Sequence, residues 1–444
     1  MGRRTISGLR AHELLPSARG ARTSVRVRTC LAPLALLSWA CSAQVNPSAA
    51  ILERVTFLGA AELPADASDL SGLGEAIAGA QIPQNRLGSL GSALAYTGTD
   101  NLYLALCDRG PNDGALGFFP RFHTLALIAD SSPGALRVEL RHTTLLHDRA
   151  GRFSGLSSAF DASQPASGRR MDPEGLRVSP ALSVFTSEEY GPWIDEWTAA
   201  GEHLRRIALP EKFYVAKLAA KAGDEMPPNN NSGRQSNRAM EGLARSPDGT
   251  RLFALMQGPL IQDLEREKKG IGTGVRLVEL DLGSGKTREF LYLLDDTANG
   301  LNEILAINAQ SFLVLERDGR QGSEAQCKRL YRVDLADASD VSAFDSLHAD
   351  DLPDEVRPLM KQLFLDFLDP RFALAGKAMP EKIEGLSFGP DLADGRRLLL
   401  VSIDNDFRPE VPNTFWAFAV GRELLPGFEP EAFDGPWKMR EASK

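Results

Sequence analysis

The sequence is short of the residues that nucleophilic or transition-metal chemistry uses. It has four cysteines and six histidines in 444 residues. His123, His142, His147, His203 and His348 lie outside every repeated motif and form no pair with metal-ligand spacing. No nucleophile elbow of the Gly-x-Ser-x-Gly kind stands between a strand and a helix. The run "GIGTG" at Gly270 to Gly274 precedes a strand instead of opening a helix, so it reads as a turn and not as a phosphate loop. There is no basic field either. Lys and Arg number 50 against 59 Asp and Glu, a formal net charge of -9 with both signs mixed along the chain. That argues against a nucleic-acid partner, although residues 1–29 are Arg-rich.

The N-terminus has its own logic. Arg22, Arg26 and Arg28 precede the apolar run "CLAPLALLSWAC". At about ten residues the run is too short to cross a bilayer of roughly 30 Å as a helix. A basic segment, a short apolar run and small residues from Ala40 to Ala43 read as an export signal cleaved after Ala43. The plainer alternative is a disordered tail. Export makes the protein secreted or periplasmic. Cleavage before Cys41 would give a lipoprotein, and only a lipidated Cys41 would bring membrane contact, but Ser38-Trp39-Ala40 fits that pattern poorly. Once residues 1–43 are removed, Cys107 and Cys327 remain. Both sit beside apolar runs and read as small buried side chains.

What the sequence does have is a repeat. Glu-Gly-Leu, two residues, a small residue, Pro, a turn and an apolar strand recur at Glu174, Glu241 and Glu384. A weaker copy, "NEILAINAQSFLVLERDGR", puts Glu303 in the Glu position. A fifth, "SALAYTGTDNLYLALCDRG", has Ser92 there. Most copies supply two short apolar runs joined by a turn such as Pro-Asp-Gly, and further strands follow most of them. Four short strands per repeat around a ring predict an all-β fold, a β-propeller with five recognisable repeats and five or six blades. A sixth blade would have room around Leu146 to Asp172. The segment beginning at Ile51 is a strand without a blade of its own, placed to complete the last blade after "FWAFAV". One inserted helix is expected at residues 354–369, because Leu359, Met360, Leu363 and Phe367 fall at helical spacing. The propeller would span residues 51–425, with a C-terminal tail at 426–444.

In a propeller the first strand of each blade lines the channel, so a residue repeated at its start converges with its copies. Glu174, Glu241, Glu303 and Glu384 would meet near one mouth. Like charges there need an offset, from Arg109, Arg238, Arg317 and Lys382 or from a cation. Clustered carboxylates make calcium the expected cofactor, with those four glutamates and Asp404 as its ligands. The hairpin ends "DRGPND", "SEEYG", "ERDGR" and "DNDF" add Arg109, Glu189, Arg317 and Asp404. Arg109, Glu189 and Arg317 are taken as the catalytic candidates of a mixed acid and arginine cluster.

Taken in order, "CDRGPND", "MDPEGLRVSP" with "TSEEYGPW", "AMEGLARSPDG", "LVLERDGR" and "KIEGLSFGPD" with "IDNDF" resemble the phytase-like family of exported bacterial proteins, described as having esterase-like activity of phytase. The resemblance runs from about Leu52 to Val420. It implies a β-propeller and hydrolysis of a small-molecule ester or phosphoester. The chain departs from the pattern at Ser92, and at Glu303, which lacks the following Gly-Leu. Three readings stay open: a metal-assisted phosphoesterase, a lactonase or carboxylesterase on the same scaffold, and a non-catalytic envelope propeller that binds a ligand or partner.

Overall fold

The computed structural model describes residues 54–134, 136–163, 168–265 and 271–439. The expected export signal, Cys41 and Gly270 lie outside them. The apolar runs of each repeat form a four-stranded antiparallel sheet, and five such sheets make the ring. Blade 1 is β2 (Ala93–Tyr96), β3 (Leu102–Cys107), β4 (Arg121–Ile128) and β5 (Arg137–Leu145). A small hairpin, β6 (His147–Asp148) with β7 (Gly151–Arg152), follows it. Blade 2 is β8 (Pro173–Val178), β9 (Val184–Glu188), β10 (Ile194–Trp197) and β11 (His203–Ile207). Blade 3 is β12 (Met240–Arg245), β13 (Arg251–Met256), β14 (Gly274–Asp281) and β15 (Thr287–Leu293). Blade 4 is β16 (Asn299–Ala306), β17 (Ser311–Asp318), β18 (Lys328–Asp334) and β19 (Met360–Asp366). Blade 5 is β20 (Ile383–Phe388), β21 (Arg397–Ile403), β22 (Asn413–Val420) and, from the other end of the chain, β1 (Val55–Leu63).

Pairing of Val55 with Val420 through Leu63 with Asn413 closes the ring, as the orphan strand near Ile51 led one to expect. No sixth blade exists among the described residues, since Leu146 to Asp172 holds only the β6–β7 hairpin and loops. Burial follows from position in the blade. Inner strands such as β12 are buried throughout, whereas the edge strand β5 alternates for most of its length. Apolar clusters fill the wedges between blades: Leu94 and Tyr103 pack with Leu400 and Phe415, and Leu104 packs with Leu176 and Trp197. Cys107 and Cys327 are free and buried.

The expected helix at 354–369 is instead the outer strand of blade 4. Among the described residues only short 3-10 turns are helical. Met360 is 78% exposed, which removes it from any helical stripe. The register shifts between Leu330 and Tyr331, whose partners are Leu365 and Leu363, so Phe364 is a bulge residue. That extra residue buries Phe364 and Leu365 side by side and breaks the period of two that would have betrayed the strand. No helix among the described residues is long and apolar enough to cross a membrane.

At the end of the inner strands opposite their acidic starts, residues after Leu425 cross the ring. Backbone bonds tie Glu429 to Ile307, Ala432 to Pro247 and Asp434 to Pro180, and the Trp437 amide donates to the Thr99 hydroxyl at 2.6 Å. Phe433 lies against Tyr96 and the Arg245 guanidinium.

Candidate functional site

Each acidic start sits in a local irregularity of its blade. In blades 2, 3 and 5 the ladder pairs Pro173 with Glu188, Met240 with Met256 and Ile383 with Ile403, then skips to Leu176, Leu243 and Leu386. The skipped pairs are Glu174-Gly175, Glu241-Gly242 and Glu384-Gly385. Release from the ladder lets each glutamate turn into the channel mouth. The glycine beside it meets the neighbouring blade. A Cβ on Gly242 would lie 2.8 Å from Glu303 Cα, and one on Gly385 would lie 2.7 Å from the Leu94 nitrogen.

Blade 4 corrects the sequence reading. Leu301 pairs with Glu316 and Ile304 with Val314, so Asn302 takes the place of the channel glutamates and Glu303 takes the place of the glycine. Glu303 therefore does not line the mouth cavity. It is buried deeper in the channel, 3.2 Å from the Arg177 guanidinium, and accepts from the amides of Leu243 and Ile304. Burial raises its pKa to about 7, with Arg177 acting against that. Blade 1 contributes Ser92, which is buried outside the cavity lining.

The mouth is a cavity of about 230 Å³. The inner strands bring Glu174, Glu241, Asn302 and Glu384 to it. The ends of the second strands bring Asp108, Glu189, Gln257, Arg317 and Asp404, one from each blade. With Glu381 included, seven carboxylates face four bases, Arg109, Arg238, Arg317 and Lys382. Negative charge is in excess, and it is unevenly placed.

On the blade 4 and 5 side the charges are matched except at Glu381. Arg317 donates to Glu384 at 2.7 Å, and Lys382 to Asp404 at 3.2 Å. Burial would push the Asp404 pKa up, but Lys382 and the Ser89 hydroxyl hold it below its ordinary value. Glu241 accepts from Gln257 and Asn302, each at 2.8 Å.

On the blade 1 and 2 side they are not matched. Arg109 bonds to Asp172 and Asn237 and lies 3.5 Å from Glu189. Asp108 accepts only from the Gly110 amide, and the Glu174 carboxylate has no hydrogen-bond or ion-pair partner among the described residues. Burial and then neighbouring acids push the pKa of Asp108 and Glu174 well above the usual carboxylate range. Burial and Asp172 bring Glu189 to about 7.

Asp108, Asp172 and Glu174 each offer an oxygen within 4.8 Å of the others. An all-oxygen set with an unpartnered carboxylate fits a hard divalent cation such as calcium. Of the five metal ligands expected from sequence, Glu174 belongs to this group. Glu241, Glu384 and Asp404 share the cavity but are occupied by Gln257, Arg317 and Lys382 respectively. Asp172 was missed, and Asp108, from the hairpin end "DRGPND", was placed in the mixed cluster without being counted among the ligands. Their signal was position: Asp172 lies two residues before Glu174, and Asp108 holds in blade 1 the strand end that Glu189 holds in blade 2. A Gly-x-Ser-x-Gly string does occur, from Gly385 to Gly389. Ser387 lies within strand β20, and its hydroxyl donates to the Phe388 carbonyl at 3.0 Å, so it forms no elbow.

A family model described as "Esterase-like activity of phytase" matches residues 85–407. An uncharacterized secreted protein of Arthroderma benhamiae is 26% identical over 63% of this chain and 72% of its own length. Among solved structures the chain is similar to the PQQ-bound aldose sugar dehydrogenase of Streptomyces coelicolor (14% identical, 82% of this chain and 94% of that one, TM-score 0.33). It is also similar to a gluconolactonase of Xanthomonas campestris (10% identical, 75% of this chain and 86% of that one, TM-score 0.35). Both structural likenesses are too loose to bear on function.

Proposed function

The chain belongs to the phytase-like family, and from that premise we propose that it hydrolyses a small ester or phosphoester at the mouth of the propeller channel. The observation that carries this reading is the convergence of five strand ends on one cavity that holds Glu189 beside Arg109. A carboxylate that titrates at about 7 is suited to take a proton at neutral pH. Glu189 removes a proton from water. The water oxygen bonds to the acyl carbon or phosphorus, the ester C–O or P–O bond breaks, and the proton passes from Glu189 to the departing alkoxide. Arg109 and Arg317 face the cavity and stabilise negative charge that develops on the substrate oxygen. Asp108, Asp172 and Glu174 would hold calcium, which when bound offsets their charge and polarises the ester.

Turnover of p-nitrophenyl phosphate and p-nitrophenyl acetate, each with calcium or chelator, tests the proposal. One of the two is expected to turn over, with Glu189→Gln lowering kcat at least about 100-fold, within the range for losing a general base. No turnover of either with calcium present rejects hydrolysis and favours the ligand-binding propeller. We also propose that the mature protein acts outside the cytoplasm, a reading supported by the Arg-then-apolar N-terminus and the secreted relative. An intact Met1 in the mass spectrum of the extracellular or periplasmic fraction would overturn it.

A further inference from the structure

A second and larger cavity, of about 450 Å³, lies on the mouth face beside blade 2. Three segments build it: the loop before β8, the turn from β9 to β10, and the stretch after β11. In the blade's up-and-down order all three emerge at the end of the sheet that carries Glu189. The walls are flat and mostly apolar: Phe160, Tyr190, Trp193 and Tyr214, with Val215 and Leu218. Two guanidinium groups extend these surfaces. Arg170 lies 4.4 Å from the centre of the Tyr190 ring, and Arg206 lies 3.8 Å from that of Trp193. Their charges are already matched inside the protein, Arg170 by Glu225 at 3.2 Å and Arg206 by Asp195 at 2.7 Å. Arg206 adds a planar face beside Trp193, whereas Arg170 also lies 4.8 Å from the centre of the Phe160 ring and ties two of the aromatic walls together. The loop is shaped to hold this wall, because a Cβ on Gly191 would lie 2.1 Å from the Trp193 ring.

Tyr190 joins this cavity to the mouth. It follows Glu189 directly, and its ring has Arg170 on the cavity side and the mouth residue Arg109 at 5.9 Å. The mouth, for its part, is poorly suited to a polyanion. It carries more carboxylates than bases, and Arg109, Arg317 and Lys382 are paired with acids. We infer that the substrate is an aryl ester or aryl phosphoester whose aromatic part enters the cavity walled by Tyr190 and Trp193 while its ester lies at the mouth. This rests on the hydrolase reading and adds the substrate class to it. Aromatic walls recognise such a group by stacking and by removing its apolar surface from water.

Two measurements on the mature chain test the inference separately from that reading. The first is calorimetric binding of 1-naphthol to wild type and to Val215→Trp and Leu218→Trp, which fill the cavity. Melting curves identify any variant that fails to fold. Wild type is expected to bind and the folded variants to bind at least ten-fold more weakly. The second is the ratio of kcat/KM for 1-naphthyl over hexafluoroisopropyl esters, whose leaving groups are of similar acidity, as acetates and as phosphates. It is expected to exceed ten in wild type and to fall in the variants through KM. Ester turnover with no naphthyl preference, or a preference that filling leaves unchanged, overturns the inference while the hydrolase reading stands. Naphthol binding that filling abolishes, with no turnover of any ester, overturns the hydrolase reading and leaves the cavity as an aromatic ligand site.

Discussion

At the scale of the residue, burial sets the behaviour of the acids. Glu188, Glu189 and Glu303 are each raised by burial from an ordinary 4.5 to about 7. Between those values the folded protein binds more protons than the unfolded chain, so stability falls as pH rises. The contribution is fully present below about 4.5 and is lost as pH climbs through about 7. In chelator, the melting temperature is therefore expected to rise when pH is lowered from 8 to 5.5. A flat or opposite dependence would show that these acids do not govern the acid-side stability. Activity should run the other way, with kcat/KM rising through about 7 as Glu189 ionises. Glu174 gives a sharper test. With no partner for its carboxylate, Glu174→Gln should raise the melting temperature in chelator and remove most of the calcium-dependent gain. In wild type that gain would be about 2.7 kcal/mol at calcium 100-fold above Kd. If wild type melts alike in calcium and in chelator, the cation reading fails. The acids themselves were legible because they repeat. Their division into matched and unmatched halves was not, since Asp108 and Asp172 meet only once blades 1 and 2 stand side by side.

At the scale of the element, the bulged inner strand is the unit that builds the site, and its glycine is what lets blades approach. Gly385→Val should cost about 1–3 kcal/mol, the range for overpacking, because even a Cβ meets Leu94 backbone across the blade boundary. Gly74→Val, where a Cβ meets nothing within 4 Å and φ is not positive, controls for loss of a glycine, and equal denaturation midpoints for the two would refute the packing argument. The same bulges mark the limit of reading strands from sequence. Repeat spacing revealed all five blades and the strand that closes the ring. Blade 4 carries Asn302 where the other blades carry the channel glutamate, so Glu303, matched by residue type, was aligned one place too far along. The Phe364 bulge likewise turned an edge strand into apparent helical spacing.

At the scale of the whole molecule, the two channel ends have different jobs. One holds the acids, and the other is crossed by the segment from Gly427 to Trp437. Trp437 is 5% exposed there, so Trp437→Ala should cost about 3–5 kcal/mol while leaving kcat at the mouth unchanged. A loss of activity without a loss of stability would mean that the strap reaches the site. The closing ladder between β1 and β22 has a further result. A ribosome releases Val55 first and Val420 only after every other blade has been made. For that whole interval β1 has no partner and stands as an open edge, because the other three strands of blade 5 are made last. Closing so long a loop is the slowest kind of contact to form, and it can be made only once β22 has been synthesised. A product that ends before β22 lacks its clasp and shows a protease an unpaired edge, so the ring joint also serves as an inspection of the finished ring.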